Sequence, residues 1–514
     1  MIKEMKNSRK IVYNISTVLI VFLINIVINF GLSSYIVEKI GQEAYGFISL
    51  ANTFINYAAI ISVALNSMGA RFIAVELNKK NLISANEYFS SIFYGNIILT
   101  LILTIPSIIM ILYLDNIINI PIELVFDVKI LFALLFLNFF ISLFNGLYSI
   151  STYCTNNIYL TSIKNMQSSI IKLGIIVLLF LFFKSAVSYI AIATLIASIF
   201  MLLYHINIMK KLLPNITVRL KHFNKNKLKK ILSSGIWNSV TNLGNALMDG
   251  IDLLISNIYL SPTSMGSIAL SKTISIVFNN IIAAISNTFQ PSLIESYVNN
   301  NHEEIKNKIT GAMKISGIFG NIPFAFICVF GCHFLKIWVP NVEIETLYIL
   351  SLISFFNVLS AGITTPLYNV YTVTNDVKKN AMLRLIFGVL NIIIVIILIN
   401  ITIIDIYVIV GTSAVIGFVV NLIIVPPQVS KILNLKSHFL YEVIFKYYLT
   451  TFFVIIIFYI IKDIIIINNL LDLILLIAIT GFIGLAINLI FFIGIKDVKE
   501  IFLKKIKKGK SKNE

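Results

Sequence analysis

Charge is scarce in this chain: 12% of its 514 residues are Asp, Glu, Lys or Arg, where a soluble domain carries about a quarter. With 58% hydrophobic residues and a mean hydropathy of +0.93, a water-soluble fold would have nowhere to put its surface. Cysteine is nearly missing. Cys154, Cys328 and Cys332 cannot build a disulfide framework, and with few histidines or carboxylates nearby they make a poor metal site, so they read as small packing residues. His205, His222, His302, His333 and His438 are widely separated. No phosphate-binding Walker sequence, DxD pair, HExxH site or Ser/His/Asp arrangement occurs. The sequence therefore points away from an enzyme and calls for no cofactor and no metal.

What the chain has is long apolar runs. About 20 mainly apolar residues cross a bilayer, and fourteen runs of that order occur, from 11–37 and 45–66 through the weakest, 168–183, to 441–461 and 470–494. The opening MIKEMKNSRK is basic, but the run behind it exceeds a signal-peptide core and has no small-residue cleavage site before Gly31. It reads as a retained first span. The expected fold is an all-α integral membrane protein with about 14 transmembrane helices.

Charge then orients those runs. Of the 40 Lys and Arg residues, 34 fall in the two tails or in every second gap between runs; the exceptions are Lys39, Lys129, Lys184, Lys272, Lys336 and Lys462. Basic loops stay on the cytoplasmic side, so the number of crossings is even and both termini are cytoplasmic. The net charge of +17 is explained this way without nucleic acid, because no aromatic and basic recognition module lies between the runs.

The most basic internal loop, KKLLPNITVRLKHFNKNKLKK at 210–230, separates six runs from the next six. We expect a six-helix bundle at 1–210, a basic cytoplasmic linker at 211–230, a second six-helix bundle at 231–430, two additional helices at 431–495 and a basic cytoplasmic tail at 496–514. The segment from Gly41, GQEAYGFISLANTF, is echoed by SPTSMGSIALSKTI from Ser261, with Gly46 matched to Gly266 at an offset of 220. Two six-helix pseudo-repeats of like orientation follow, related by an axis along the membrane normal. The two C-terminal runs carry little polarity and are expected to serve lipid contact, docking or insertion.

Several polar residues within the runs are costly enough to need a reason. Asp249 and Asp252 stand at i and i+3 within hydrocarbon depth, so they face water, a cation or a basic partner, or they solvate an external vestibule. Lys272 either pairs with Asp252, or reaches an anionic headgroup, or extends to the outer interface. Asn25 and Asn29 form a strip in the first run beside Asn14, and Asn238, Asn242 and Asn245 form one in the seventh. Neighbouring helices can satisfy such amides, and a polar pathway between the bundles would need them. Arg71, Lys172 and Arg384 stand at cytoplasmic ends of runs, as an entry collar for a phosphorylated lipid or as positive-inside anchors. Pro106, Pro323, Pro366 and the pair Pro426 and Pro427 are expected to interrupt or end their runs.

The segments NISTVLIVFLINIVINFGLSSYIVEKIGQEAYGFISL at 14–50, NSMGARFIAVELNKKN at 66–81 and IWNSVTNLGNALMDGIDLLISNIYL at 236–260 resemble the polysaccharide-transport (Wzx-like) branch of the multidrug/oligosaccharidyl-lipid/polysaccharide flippase superfamily. The likeness covers nearly the whole chain. Its most specific part is the turn Ile40, Gly41, Tyr45 and Gly46, together with the six-plus-six-plus-two topology. The resemblance implies a carrier in the plasma (inner) membrane that moves a polyprenyl-diphosphate-linked oligosaccharide from the cytoplasmic to the outer leaflet for cell-surface polysaccharide synthesis, by alternating access. Its implied partners are that lipid-linked oligosaccharide, H+ or Na+ as a coupling ion through Asp249 and Asp252, and a polysaccharide polymerase or glycosyltransferases. A cation-coupled multidrug exporter of the same superfamily is the alternative, and a channel or membrane scaffold is a third class. No ligand-reading residue transfers from the family motif, so the candidate substrate residues rest on local chemistry.

Overall fold

The computed structural model describes residues 7–249, 251–299, 301–401, 406–463, 467 and 469–494, with the side chains of 7–16, 18, 19, 22, 23, 249, 493 and 494 outside that description. Asn14 and Asp249 therefore have no described side chain. The helices in chain order are α1 Asn7–Asn66, α2 Gly69–Asn78, α3 Leu82–Leu112, α4 Leu114–Ile117, α5 Val125–Cys154, α6 Ile158–Phe182, α7 Ser188–Leu212, α8 Lys225–Asp249 and α9 Ile251–Tyr259. They continue with α10 Pro262–Thr288, α11 Gln290–Val298, α12 His302–Trp338, α13 Ile344–Val373, α14 Val377–Ile401, α15 Ile406–Phe418, α16 Val425–Ile432, α17 His438–Lys462 and α18 Leu470–Ile487.

The all-α membrane class is borne out: among the described residues, twelve helical segments are long and apolar enough to cross a bilayer. Gly41, at φ +86, bends α1 into two lengths that the sequence reads as two crossings. The seventh expected crossing, α8 with α9, is not among the twelve. Ser233, Ser234, Asn238, Asn242 and Asn245 dilute its apolar character. Elsewhere the soluble pattern is inverted, with Leu101, Ile102, Ile105, Leu471, Leu475 and Phe482 all exposed, as expected where lipid tails take the place of water.

The helices gather into two compact units, 1–269 with 381–392, and 270–380 with 393–514. In the first unit α5 packs along α7, α6 against α1 and α7, and α8 along α1. Leu65, Ile73, Tyr88, Phe89, Ile92, Leu147 and Ile150 form its core at one end. The start of α7 is capped from another helix, since the Asp127 carboxylate accepts from the backbone N–H of Val187 and of Ser188, the latter at 3.1 Å. This meets the orphan donors of a helix N-terminus with a negative charge.

In the second unit α12 packs on α13 and α17. Gly317, Gly320 and Gly362 leave room for Tyr447, whose ring and hydroxyl stand where a Cβ on any of them would fall. The buried Tyr447 hydroxyl donates to the Leu359 carbonyl at 2.9 Å. Asn321 and Asn488, both fully buried, exchange amide hydrogen bonds of 2.8 and 3.3 Å. The two C-terminal helices thus dock by buried polar contacts as well as apolar ones.

The prolines act differently from expectation. Pro106, Pro323 and Pro366 lie inside α3, α12 and α13, which run on past them. Before Pro426 the helix widens into a π-turn at Val419–Ile424, and α16 then starts with proline in its first turn, where a missing N–H costs least.

Candidate functional site

The polar helix α8 is the axis of the candidate site. Glycines let other backbones approach it: a Cβ on Gly235 would fall 2.1 Å from the Ala64 carbonyl oxygen, and one on Gly244 would fall 2.5 Å from the Arg384 carbonyl carbon. Both contacts require the glycine. Ser239 Oγ donates to the Ile60 carbonyl at 2.7 Å and Asn238 Nδ2 to Ser67 Oγ at 3.2 Å, while Asn391 Nδ2 donates to the carbonyls of Leu247 and Met248 at 3.3 and 3.2 Å. The order of these contacts makes α8 antiparallel to the second half of α1 and parallel to α14, as alternate crossings demand.

This geometry brings Asn242, Asn245 and Arg384 to one helix crossing at Gly244. Asn242 is exposed, and its Nδ2 donates to the Asn238 carbonyl of its own helix at 3.1 Å. Asn245 and Arg384 are half-buried. Asp252, in the first turn of α9, is fully buried, and its carboxylate lies within electrostatic reach of the Tyr57 hydroxyl on α1. The segment holding Asp252 is tied down by Asn257 and Asn119. The Asn119 N–H donates to Asn257 Oδ1 at 2.8 Å, Asn119 Nδ2 donates to the Asn257 carbonyl at 2.8 Å, and Asn257 Nδ2 donates back to the Asn119 carbonyl at 3.0 Å.

Sequence reasoning missed a group of polar atoms inside the first unit. The Asn25 Oδ1, Tyr57 hydroxyl, Thr100 Oγ1 and Asn138 Oδ1 are all buried without a hydrogen-bond partner in the structure, on α1, α3 and α5. Such atoms are rare and expensive, and only Asn25 belonged to a visible strip. Asn29, a turn further on, is exposed. Lys172 is half-buried, and because α6 begins at Ile158 it sits near the middle of its helix rather than at an end. Arg71 is exposed in the first turn of α2, and Lys272 is half-buried on α10 in the second unit.

Gly46 and Gly266, the two glycines paired by sequence offset, meet in the structure. A Cβ on Gly46 would lie 3.0 Å from the Gly266 Cα, and one on Gly266 would lie 2.4 Å from the Gln42 carbonyl oxygen. Around them Gln42 Nε2 donates to the Thr263 carbonyl at 2.7 Å and to Ser267 Oγ at 2.6 Å. Thr263 Oγ1 donates to the Glu43 carboxylate, a pair that is again 220 residues apart.

Comparison with known proteins places this geometry in context. Residues 39–338 match the model of a family described as polysaccharide biosynthesis protein. The chain is 25% identical over 429 residues to "Uncharacterized membrane protein EpsK" of Bacillus subtilis (strain 168), covering 84% of this chain and 85% of that one. Among solved structures it is similar to the inward closed conformation of the Lipid II flippase MurJ, with a TM-score of 0.68, 14% identity, and 96% of this chain and 99% of that chain covered. It is also similar to the inward-facing conformation of a multidrug resistance MATE family transporter of the MOP superfamily, with a TM-score of 0.64, 15% identity, and 82% and 98% covered.

Proposed function

We propose that this chain, which belongs to the polysaccharide biosynthesis protein family, is a flippase that carries a polyprenyl-diphosphate-linked oligosaccharide from the cytoplasmic to the outer leaflet. The family match over 39–338 carries the reading, and the fold shared with a flippase and a transporter supports it. The barrier to be overcome is the polar head. Sugars and a diphosphate lose strong hydration in hydrocarbon, whereas the prenyl tail prefers it.

In this reading two six-helix halves with two added helices alternate access around a polar interior, with both termini on the cytoplasmic side. Buried polar atoms on Asn25, Tyr57, Thr100 and Asn138, with Asn29, Asn242 and Asn245, take the place of water around the sugars. Arg71, Lys172, Lys272 and Arg384 attract the diphosphate as it enters and crosses. Asp249 and Asp252 hold the coupling proton or sodium ion. The contact of Gly46 with Gly266 supports a seam between repeat-related turns that parts and closes once per cycle. A polymerase or glycosyltransferase supplies or takes up the glycan.

The test is reconstitution of the full chain in vesicles with defined lipid-linked glycans, following transfer between leaflets. Wild type is expected to move the glycan lipid, and Asp252→Asn, Asp249→Asn, Lys172→Gln and Arg384→Gln to slow it. Robust cation-dependent efflux of amphiphilic drugs without glycan-lipid transfer would favour the exporter reading. Full activity in every substitution would remove the site assignment.

A further inference from the structure

We propose that the loop 213–224, with the first turns of α3 and α8, is a preformed docking surface for the anionic headgroups of membrane phospholipids. Loops as basic as this are commonly free to move, but this one is fastened along α3 by that helix's own side chains. Asn86 receives the Thr217 N–H at 2.7 Å and donates to the Asn215 carbonyl at 3.1 Å. Ser90 Oγ receives the Arg219 N–H and donates to the Thr217 carbonyl, both at 3.3 Å. Ser91 Oγ receives the Asn224 N–H at 3.0 Å and donates to the Asn224 carbonyl at 3.2 Å. Asn86, Ser90 and Ser91 are buried, so the loop backbone is held as firmly as a sheet strand would hold it.

One lysine is used internally. Lys227 donates to Ser84 Oγ at 2.7 Å, lies 4.0 Å from a Glu87 carboxylate oxygen and sits 4.4 Å above the Tyr88 ring. Arg219, Lys221, Lys225 and Lys229 are exposed, and no carboxylate occurs anywhere from His205 to Met248. Leu220, between Arg219 and Lys221 in the sequence, and Ile83, in the first turn of α3, are apolar side chains that water would not favour, at 72% and 74% exposure.

Depth selects the occupant. The 31 residues of α3 make a rod about 46 Å long at about 1.5 Å per residue, against about 30 Å of hydrocarbon. The rod exceeds that thickness by about 16 Å, and its N-terminal end, where the basic loop is fastened, is the end that the charge pattern assigns to the interface. Cations with apolar side chains between them at that depth suit an interface of anionic phosphates above acyl chains, better than they suit a soluble acidic protein.

The experiment uses the full chain in nanodiscs of mixed phosphatidylglycerol and phosphatidylcholine, with retained lipids counted by native mass spectrometry and hydrogen exchange followed at 213–224. Wild type is expected to retain phosphatidylglycerol selectively, to lose it at high salt, and to show slower exchange in the loop when the anionic lipid is present. The quadruple variant Arg219→Gln/Lys221→Gln/Lys225→Gln/Lys229→Gln leaves the fastening contacts in place and is expected to weaken selective phosphatidylglycerol binding by about a thousandfold. Asn86→Ala/Ser90→Ala/Ser91→Ala keeps every charge but frees the loop, and is expected to weaken retention and abolish the slowed exchange. Equal retention in wild type and the quadruple variant would overturn the proposal. With a polyprenyl diphosphate added to the same nanodiscs, its selective retention in place of phosphatidylglycerol would overturn it too.

Discussion

Replacing Gly266 by alanine tests the seam at its tightest point. The added methyl would lie 2.4 Å from the Gln42 carbonyl oxygen and 2.8 Å from its carbonyl carbon. Both are backbone atoms, so rotation of a side chain cannot relieve the clash. An ordinary contact requires roughly 1 Å of separation between the start of α10 and the bend of α1, on the scale of carbon contacts near 3.5 Å. Overpacking of this kind costs about 1–3 kcal/mol. The same displacement stretches the bonds from Gln42 Nε2 to the Thr263 carbonyl and Ser267 Oγ, now 2.7 and 2.6 Å, each contributing about 1 kcal/mol. A total of about 3–5 kcal/mol changes a two-state population by about 150-fold to 5000-fold. The assay is disulfide formation between cysteines at 43 and 263, whose native side chains are hydrogen-bonded. With Glu43→Cys and Thr263→Cys the bond should form quickly; with Gly266→Ala added, it should slow by at least an order of magnitude on the same scale. An unchanged rate would refute the reasoning, because it would mean that the helices absorb the methyl without parting.

Gly235→Ala should be more damaging, since its methyl would meet the Ala64 carbonyl oxygen at 2.1 Å; a drop in apparent Tm larger than that of Gly266→Ala checks it. Asn321→Leu should cost about 1–3 kcal/mol by stranding the Asn488 Oδ1, and Asn321→Leu/Asn488→Leu should recover part of the loss. A double-mutant cycle on thermal unfolding in detergent measures that coupling. The Lys129 ammonium of α5, 2.7 Å from Asp115 of α4, holds that carboxyl below its usual range through a hydrogen bond. A depressed folded-state pKa gives a contribution that is present above the unfolded pKa and fades as pH falls through the folded one. NMR titration should therefore find the Asp115 midpoint higher in Lys129→Gln than in wild type.

Much of the fold was legible because a bilayer reduces it to length, apolarity and charge. The runs and the alternation of Lys and Arg are properties of neighbouring residues, and so is the offset that matched Gly46 with Gly266. Helix ends were harder. Hydropathy began the fifth run near 168, but α6 starts at Ile158 after a turn in which Asn156 takes φ 53, which moves Lys172 inward by several turns. Contacts between distant residues left no local trace: Asn321 finds Asn488 across 167 positions, and Asp127 caps a helix 60 residues on. Of the candidate site, the amide strips were visible as spacing. Tyr57, Thr100 and Asn138 were not, because a single polar residue in an apolar run looks alike whether neighbours satisfy it or not.

The meeting of Gly46 with Gly266 also bears on how freely this contact can vary. In a symmetric dimer of identical chains, a residue on the twofold axis touches its own copy, and a mutation there acts twice at once. Here the two copies are separate codons in one chain, so each side of the contact is free to change alone. Gln42 lies 220 positions before Pro262, and Glu43 before Thr263; one turn carries the amide and the acid, while the other supplies the Ser267 hydroxyl and Thr263 carbonyl that the amide binds and the Thr263 hydroxyl that the acid binds. Glycine stands where the two backbones touch, while the side chains around that contact differ from one turn to the other.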